Sequence, residues 1–508
     1  MKPSGLALRP PSEPESAVAQ QIYYPDVSAS IHLNALVRIL IRQLPKQHIT
    51  EFIWDHGCIC DERTIDQLLE SQALSLTTLS FDQIRQESGA FGRDIIGLQS
   101  LSFRSLEGTR SDWLWYILSP QSALKHLTLG AEIDAVQGLY EPGSGLDENY
   151  DSMLDDVMID HVDKDKDNDN DDYDDDDDGR DCFMLTLDSF GLIGLSVNKL
   201  IRGPSSLLDF SELTSLSLED CRGVEDCFSV VQNANSKQGV KTQSLLRLRS
   251  FHLRHNSLNQ NTNIRAPLLA FLTSIPGLIN LSILLQANER RRDFRGRNFG
   301  NVLLTHGKFL RTLVWEERIR CRETYVERSN ATFPSQDGLL EIAQSCNNLV
   351  ELSIPIDWST FKPRWDPWIG GTRKALRSLT QLRTLNIRNM PSFDTTTTGI
   401  PINRALQGFV DSALAALIVS THVNNSMPLD TFALGAMTYR DVRNGLGLIT
   451  IHEYDLYQFL RLRIYAVDRC YRFEGKPKPL AILREVGTYE KTEAAGYGVE
   501  VLKPYWLG

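Results

Sequence analysis

Along most of this chain the apolar positions repeat one six-residue pattern, apolar-x-x-apolar-x-apolar. It reads ITEFIW at 49, LTTLSF at 76, LQSLSF at 98, LKHLTL at 124, LIGLSV at 192 and LTSLSL at 213. It returns as LRSFHL at 248, LINLSI at 278, LRTLVW at 310, LVELSI at 349, LRTLNI at 382 and LDTFAL at 429. The fourth and sixth positions of each copy face the same way on an extended backbone. Every copy therefore predicts a short strand with one apolar face. A single unit leaves that face in water. Stacked neighbours bury it, each enclosed side chain contributing roughly 1.5–3 kcal/mol.

The spacing between copies changes to a helical period. DERTIDQLLESQ (61–72) sets Ile65, Leu68 and Leu69 on one helix face, with acids in the first turn. SQDGLLEIAQSCNNL (335–349) groups Leu339, Leu340, Ile342 and Ala343 and runs into the next strand. NVLLTHGKFLRTLVW and APLLAFLTSIPGLINLSI behave alike. Strand, loop, helix, strand requires parallel pairing through crossovers. The expected fold is α/β, a leucine-rich-repeat solenoid shaped as a horseshoe, with a parallel concave sheet and convex helices. Start-to-start spacings run 27, 22, 26, 68, 21, 35, 30, 32, 39, 33 and 47, and the short ones have the length of leucine-rich repeats.

The 68-residue step holds an insert. Asp147–Asp181 carries eighteen acidic residues against Lys164, Lys166 and Arg180, a net of −15. The whole chain carries −12, so the remainder carries +3. A body so close to neutral lacks the broad basic face of a nucleic-acid binder. The frame at 174 offers Asp174, Asp176, Asp178 and Gly179 of a calcium loop, but Leu185 stands where a bidentate Glu belongs. Repelling like charges extend a chain, so residues 141–182 are read as an acidic disordered insert. Residues 1–30 read as a flexible tail, 31–440 as the repeat array and 441–508 as a C-terminal cap with strand or hairpin character. LNALVRILIRQL (33–44) reads as an amphipathic N-terminal cap helix, with Leu36, Ile39, Leu40 and Leu44 on one face.

Candidate binding residues come from the positions that point out of the concave sheet. The early strands supply Glu51, Ile53, Asp55, Thr78, Ser80, Asp82, Ser100, Ser102, Arg104, His126 and Thr128. Later strands supply Ser215, Ser217, Glu219, Ser250, His252, Arg254, Thr312, Val314, Glu316, Thr384, Asn386 and Arg388. The charged and imidazole members, from Asp55 to Arg388, are the binding candidates. Small hydroxyls with scattered charge of both signs suit an extended protein partner. A second candidate is the basic loop Arg290, Arg291, Arg292, Arg295 and Arg297, interleaved with Phe294 and Phe299, as a docking site for an anionic partner; its alternatives are a solvated loop and a contact with the acidic tract, within the molecule or in a partner. Trp358, Trp365 and Trp368 form a third group, either an interface anchor or a loop folded onto the helices.

Enzyme signatures are absent: no P-loop, no G-x-G-x-x-G after a strand, no G-x-S-x-G, no H-E-x-x-H. No catalysis and no cofactor are expected. Eight cysteines, at 58, 60, 182, 221, 227, 321, 346 and 470, show no zinc spacing and read as buried thiols of a reducing compartment. The longest apolar run, ALAALIVS at 413–420, is too short to cross a bilayer. With no apolar leader at residues 1–21, a cytoplasmic or nuclear protein is expected.

GLLEIAQSCNNLVELSIPID, LRTLVWEE and LRTLNIRNMP resemble the leucine-rich-repeat bodies of F-box and F-box-like proteins, especially those of filamentous fungi. The resemblance covers roughly residues 45–440. It implies a substrate-recognition surface and, through an F-box that begins Leu-Pro, ubiquitin-ligase components as partners. Leu44-Pro45 is present, but the first repeat follows it directly and leaves no room for an F-box. An F-box has then been lost, lies outside this chain, or never belonged to it.

Overall fold

Alternation along each repeat sends one apolar ladder into a shared core. In this computed structural model the pairs that follow the six-residue pattern stack in register from strand to strand. The structure describes residues 27–85, 95, 97–107, 123–131, 185–195, 197, 208–209, 212–229, 247–256, 264–275, 277–287, 297–319, 331–332, 336–356, 371–388, 429–435, 463–474 and 476–487. The acidic insert, Arg290 to Arg295, the Trp358–Trp368 group and residues 413–420 lie outside them.

The strands are β1 (Glu51–Asp61), β2 (Thr78–Arg85), β3 (Ser100–Glu107), β4 (His126–Ala131), β5 (Leu185–Thr186), β6 (Ser189–Ile193), β7 (Leu208–Asp209) and β8 (Ser215–Glu219). They continue as β9 (Ser250–Asn256), β10 (Asn280–Ala287), β11 (Thr312–Ile319), β12 (Ala331–Thr332), β13 (Glu351–Ile354), β14 (Thr384–Ile387) and β15 (Thr431–Leu434). β16 (Arg463–Glu474) and β17 (Lys476–Gly487) follow. Fifteen of them form one open sheet, ordered β1-β2-β3-β4-β6-β8-β9-β10-β11-β13-β14-β15-β16-β17, with β12 beside β11. Every ladder on that path from β1 to β15 is parallel. β16 then pairs antiparallel with β15, and β17 with β16. β5 and β7 pair separately. Strand order therefore follows chain order, as stacked repeats require.

Eleven of the twelve predicted strands begin two residues into their motif. The exception is the copy placed at 192. The strand there is β6; it buries Phe190 and Leu192, and Leu187, two residues before it, is buried as well. The true copy is LDSFGL, starting five residues earlier. Leu192, Leu195 and Val197 satisfy the same pattern and are also buried, so the sequence offered two frames. The corrected frame places the copies at 187 and 213 a repeat-like 26 residues apart.

The buried ladder runs Leu79, Leu101, Leu127, Phe190, Leu216, Phe251, Leu281, Leu313, Leu352, Leu385 and Phe432, each paired with the next. Rings reinforce it. Phe81 and Phe103 stack at 5.6 Å, and Phe228 and Phe271 at 4.5 Å. Helices α1 (Val27–Gln43), α2 (Glu62–Gln72), α3 (Arg265–Ser274), α4 (Arg297–His306), α5 (Gln336–Ser345) and α6 (Gly371–Ser378) accompany the strands. α2 and α5 bury the residues expected from helical spacing, Ile65, Leu68 and Leu69 and then Leu339, Ile342 and Ala343; α3 adds Leu268 and Leu272, and α4 adds Val302.

Two buried polar side chains staple helix ends to strand entries. Gln72 ends α2, and its Oε1 accepts the His48 and Ile49 N–H groups at 2.7 and 3.0 Å. Its Nε2 donates to the Pro45 carbonyl at 3.0 Å. His306 ends α4 and does the same work. Its Nδ1 accepts the Leu278 N–H at 3.1 Å, and Nε2 lies 2.7 Å from the Leu272 carbonyl. That pair of partners requires the Nε2–H tautomer. Ile49 and Leu278 both stand two residues before a strand, so the two staples are structural equivalents.

Gly307 follows His306 where two helix ends meet. A Cβ there would stand 2.5 Å from the Leu303 carbonyl oxygen and 2.6 Å from that of Ser345. Both atoms are backbone and cannot swing away. Gly307→Ala is therefore expected to lower stability by about 1–3 kcal/mol, the usual range for overpacking. Urea titration of the variant against the parent chain measures it; an unchanged midpoint would show that the α4 and α5 ends separate freely.

α1 does not bury the face its pattern suggests. Leu36, Ile39, Leu40 and Leu44 are 59%, 50%, 59% and 45% exposed. The helix docks instead through Ile41 and a polar seam. Asn34 donates to the Ile59 carbonyl at 2.9 Å and accepts the Asp61 N–H at 3.0 Å, so its carboxamide occupies the outer edge of β1 at that point. Arg38 pairs with Asp61, and Arg42 donates to Gln67. These ties set α1 beside α2, and they outweigh the apolar stripe in fixing its rotation.

Candidate interaction face

The sheet has a second face, built from the positions between the buried ladders. Two of its rows can be followed residue by residue. One runs Glu51, Thr78, Ser100, His126, Ser189, Ser215, Ser250, Asn280, Thr312, Glu351, Thr384 and Thr431. The next runs Ile53, Ser80, Ser102, Thr128, Gly191, Ser217, His252, Ser282, Val314, Ser353, Asn386 and Ala433. Parallel, in-register pairing is what gathers residues from distant repeats into these lines.

The two halves of the face differ. From β1 to β8 it is largely accessible. Glu51, Ile53 and His126 are exposed, and Thr78, Ser80, Ser100, Thr128, Ser189, Ser215 and Ser217 are half-buried. This half is a hydroxyl strip, interrupted at Ser102 and Gly191, which are buried; a Cβ at Gly191 would stand 2.9 Å from the Thr128 Oγ1. From β9 to β15 the same row is buried, through His252, Ser282, Val314, Ser353, Asn386 and Ala433.

Five of the predicted residues meet in that buried half. Glu219 and Arg254 are paired in register. Leu284 and Glu316 continue their row. Arg388 donates Nε–H to Glu316, and both side chains are nearly enclosed, at 10% and 4% exposure. The Arg388 Nη1 also reaches Ser353 Oγ at 3.4 Å, and Asn386 donates to the same oxygen at 3.0 Å. Arg254 pairs with Asp220 at 3.1 Å. Asp220 ends its strand with a positive φ of 52°, a conformation Asp tolerates better than most residues. His252 Nε2 lies 3.8 Å from Glu219 Oε1, beyond hydrogen-bond length.

The electrostatics follow from that enclosure. Burial, then the Arg254 and Arg388 guanidiniums, push the His252 imidazole down to about 3, so it is neutral at physiological pH. Burial also lowers His255, against the opposing pull of Asp220 and Glu225. Three carboxylates, Glu219, Asp220 and Glu316, thus surround two guanidiniums and a neutral ring. Such a cluster holds strands together and presents little free charge.

The remaining predicted residues lie apart. His126 is exposed in the accessible half. Asp55, Asp82 and Arg104 belong to β1, β2 and β3, but their side chains are outside the described set. Of the basic loop, Arg297 opens α4, and its side chain is likewise not described. Cys60, Cys221, Cys227 and Cys346 are buried free thiols; burial raises all four, Cys227 and Cys346 to about 12. Among the described residues no cluster of His, Cys, Asp or Glu is placed to hold a metal ion. No described helix is long and apolar enough to cross a membrane.

No protein-family profile matches the chain, and no curated relative matches it. Among solved structures, the crystal structure of an internalin from Listeria monocytogenes aligns over 70% of this chain and 81% of its own. The identity is 13% and the TM-score 0.30. At that score the strand order and register above, not the likeness, define the architecture. The resemblance to F-box proteins rests on the repeat residues alone.

Proposed function

We propose that the protein is a leucine-rich-repeat solenoid that binds another protein through the polar face of its sheet and performs no chemistry. The observation that supports this reading is the hydroxyl strip of β1 to β8. It spans six adjacent strands, β1, β2, β3, β4, β6 and β8, on an in-register frame. It carries neither the charge density for a polyanion nor a grouping of nucleophile, base and metal ligands. Rows of Ser and Thr on a sheet offer donors and acceptors at the strand spacing of roughly 4.8 Å, which suits an extended chain laid across the strands. The ion-paired half beyond β8 serves as the fixed end of that platform, and His126 is its candidate contact.

The test uses the tagged full chain and the variant Ser80→Arg/Thr128→Arg/Ser217→Arg. Partners recovered with the parent chain, identified by mass spectrometry and cross-linked in place, should attach at β2 to β8. The variant should lose them while its circular dichroism spectrum is unchanged. Partners retained by the folded variant would overturn the proposal. Recovery of cullin-ligase components on the same face would identify the partner class that the resemblance implies.

A further inference from the structure

The two ends of the sheet are built differently, and the difference points to self-association. Among the described residues the last strand of the sheet is β17, which begins Lys-Pro-Lys-Pro. Pro477 and Pro479 pair with Phe473 and Tyr471, two residues apart, and so remove donors from the same side of the strand. Prolines and lysines on an edge strand are a standing defence against pairing with another chain. At the N-terminal end the described residues defend only part of the edge. β1 ends the sheet, and among the described residues only β2 pairs with it. Asn34 blocks its outer edge at Ile59 and Asp61. The stretch Glu51–Trp54 has no proline, and its Ile53 side chain is 56% exposed.

Beside that edge lies the outward stripe of α1: Leu36, Ile39, Leu40 and Leu44. In a stacked array this is the face on which a preceding repeat would sit. The four stripe side chains, 45% to 59% exposed, amount to roughly a few hundred Å² of apolar surface, about the largest patch a typical monomer exposes. It also supplies a large share of the ~800 Å² per partner that a stable interface buries.

We propose that this end is an isologous interface with a second copy of the chain. Three features favour that occupant. A strand edge pairs antiparallel with its own two-fold mate, and an uncharged stripe packs on an identical stripe without opposing like charges. α1 and its neighbour α2 carry both signs, Arg42 on one and Glu62, Asp66 and Glu70 on the other, so a two-fold can set unlike charges opposite each other. The protected β17 edge disfavours head-to-tail stacking into filaments, which leaves a closed dimer. This interface shares Ile53 with the partner face on β1 to β8, but its test reads self-association through Leu36 and Leu40, which that face does not include, so the two fail separately.

Sedimentation velocity of the full chain, from low to high micromolar concentration, tests it. The expected result is a monomer–dimer equilibrium in the parent chain. Leu36→Glu/Leu40→Glu should weaken it by more than about tenfold and leave the circular dichroism spectrum intact, since neither side chain is buried. Hydrogen exchange at residues 33–44 should slow with concentration in the parent chain only. A chain monomeric throughout overturns the proposal, as does a dimer that survives the double variant. Concentration-independent protection of α1 also overturns it, because the chain itself would then cover the stripe. Binding of the monomer to anionic vesicles through α1 would assign the stripe to a membrane and overturn it equally.

Discussion

Arg388→Leu is expected to destabilise the protein by about 3–5 kcal/mol, the usual cost of removing one partner of a buried ion pair. The reason is what remains. Glu316 is almost fully enclosed and loses the guanidinium that neutralises it. The Ser353 hydroxyl loses one of its two donors. Replacing both charges, in Glu316→Leu/Arg388→Leu, removes the stranded carboxylate as well. Well-packed apolar pairs commonly match or exceed the ion pair they replace, so the double variant should recover most of the loss. Urea midpoints of the parent, both single variants and the double variant close the cycle. Equal destabilisation in the Arg388→Leu and double variants would show that the cost is lost packing and not an orphaned charge. The same variant carries a second signature. Arg388 is one of the two guanidiniums that hold His252 down, so its removal should raise the His252 titration midpoint, read by NMR.

How much of this was legible follows from which interactions have a period. Strand positions were legible because the buried pairs, such as Leu79 with Phe81 and Leu101 with Phe103, recur at a fixed spacing whatever lies between them. The single misplaced frame arose where Leu192, Leu195 and Val197 repeat the pattern out of phase with Leu187, Phe190 and Leu192; burial, not periodicity, separates them. The meeting of Glu219, His252, Arg254, Glu316 and Arg388 followed from register, since each was assigned to the outward side of its own strand. Their mutual pairing was not legible, because Glu316 and Arg388 are 72 residues apart and nothing local ties them. Nor was their burial. The rotation of α1 was misread for a related reason. Its four apolar residues suggest a buried face, but Asn34 and Arg38 find backbone and carboxylate partners 23 to 27 residues away that turn the stripe outward. The Gln72 and His306 staples were not legible, because each closes its helix on partners 23 to 34 residues away in sequence.

Acid should destabilise the protein well before its carboxylates protonate. His252, His255 and His306 are all lowered from the ordinary imidazole value, chiefly by burial. A group held down in the folded state contributes stability that is complete above its unfolded pKa of about 6.5 and is lost as pH falls. For His252, folded at about 3, the loss runs through the whole interval between those values. By pH ~5 it amounts to about 2 kcal/mol from this ring alone. His306 acts in the same direction. Protonating it puts a hydrogen on Nδ1, where it faces the Leu278 N–H and breaks the staple at the entry to β10. His255 adds to the trend less cleanly, because Asp220 and Glu225 favour its charged form. Glu317 opposes it, since burial raises its carboxyl and favours the protonated form. Asp61 is held below the usual carboxylate range by Thr64 and Arg38, so its own loss begins only in more acidic solution. The check is a series of thermal melts between about pH 7.5 and pH 5 for the parent and for His252→Asn, which cannot titrate. The parent's melting temperature should fall steadily below about pH 6.5, and the variant's should fall less, by the equivalent of one proton. Parallel curves would mean that His252 titrates alike in the folded and unfolded protein, with Glu219 offsetting burial and both guanidiniums.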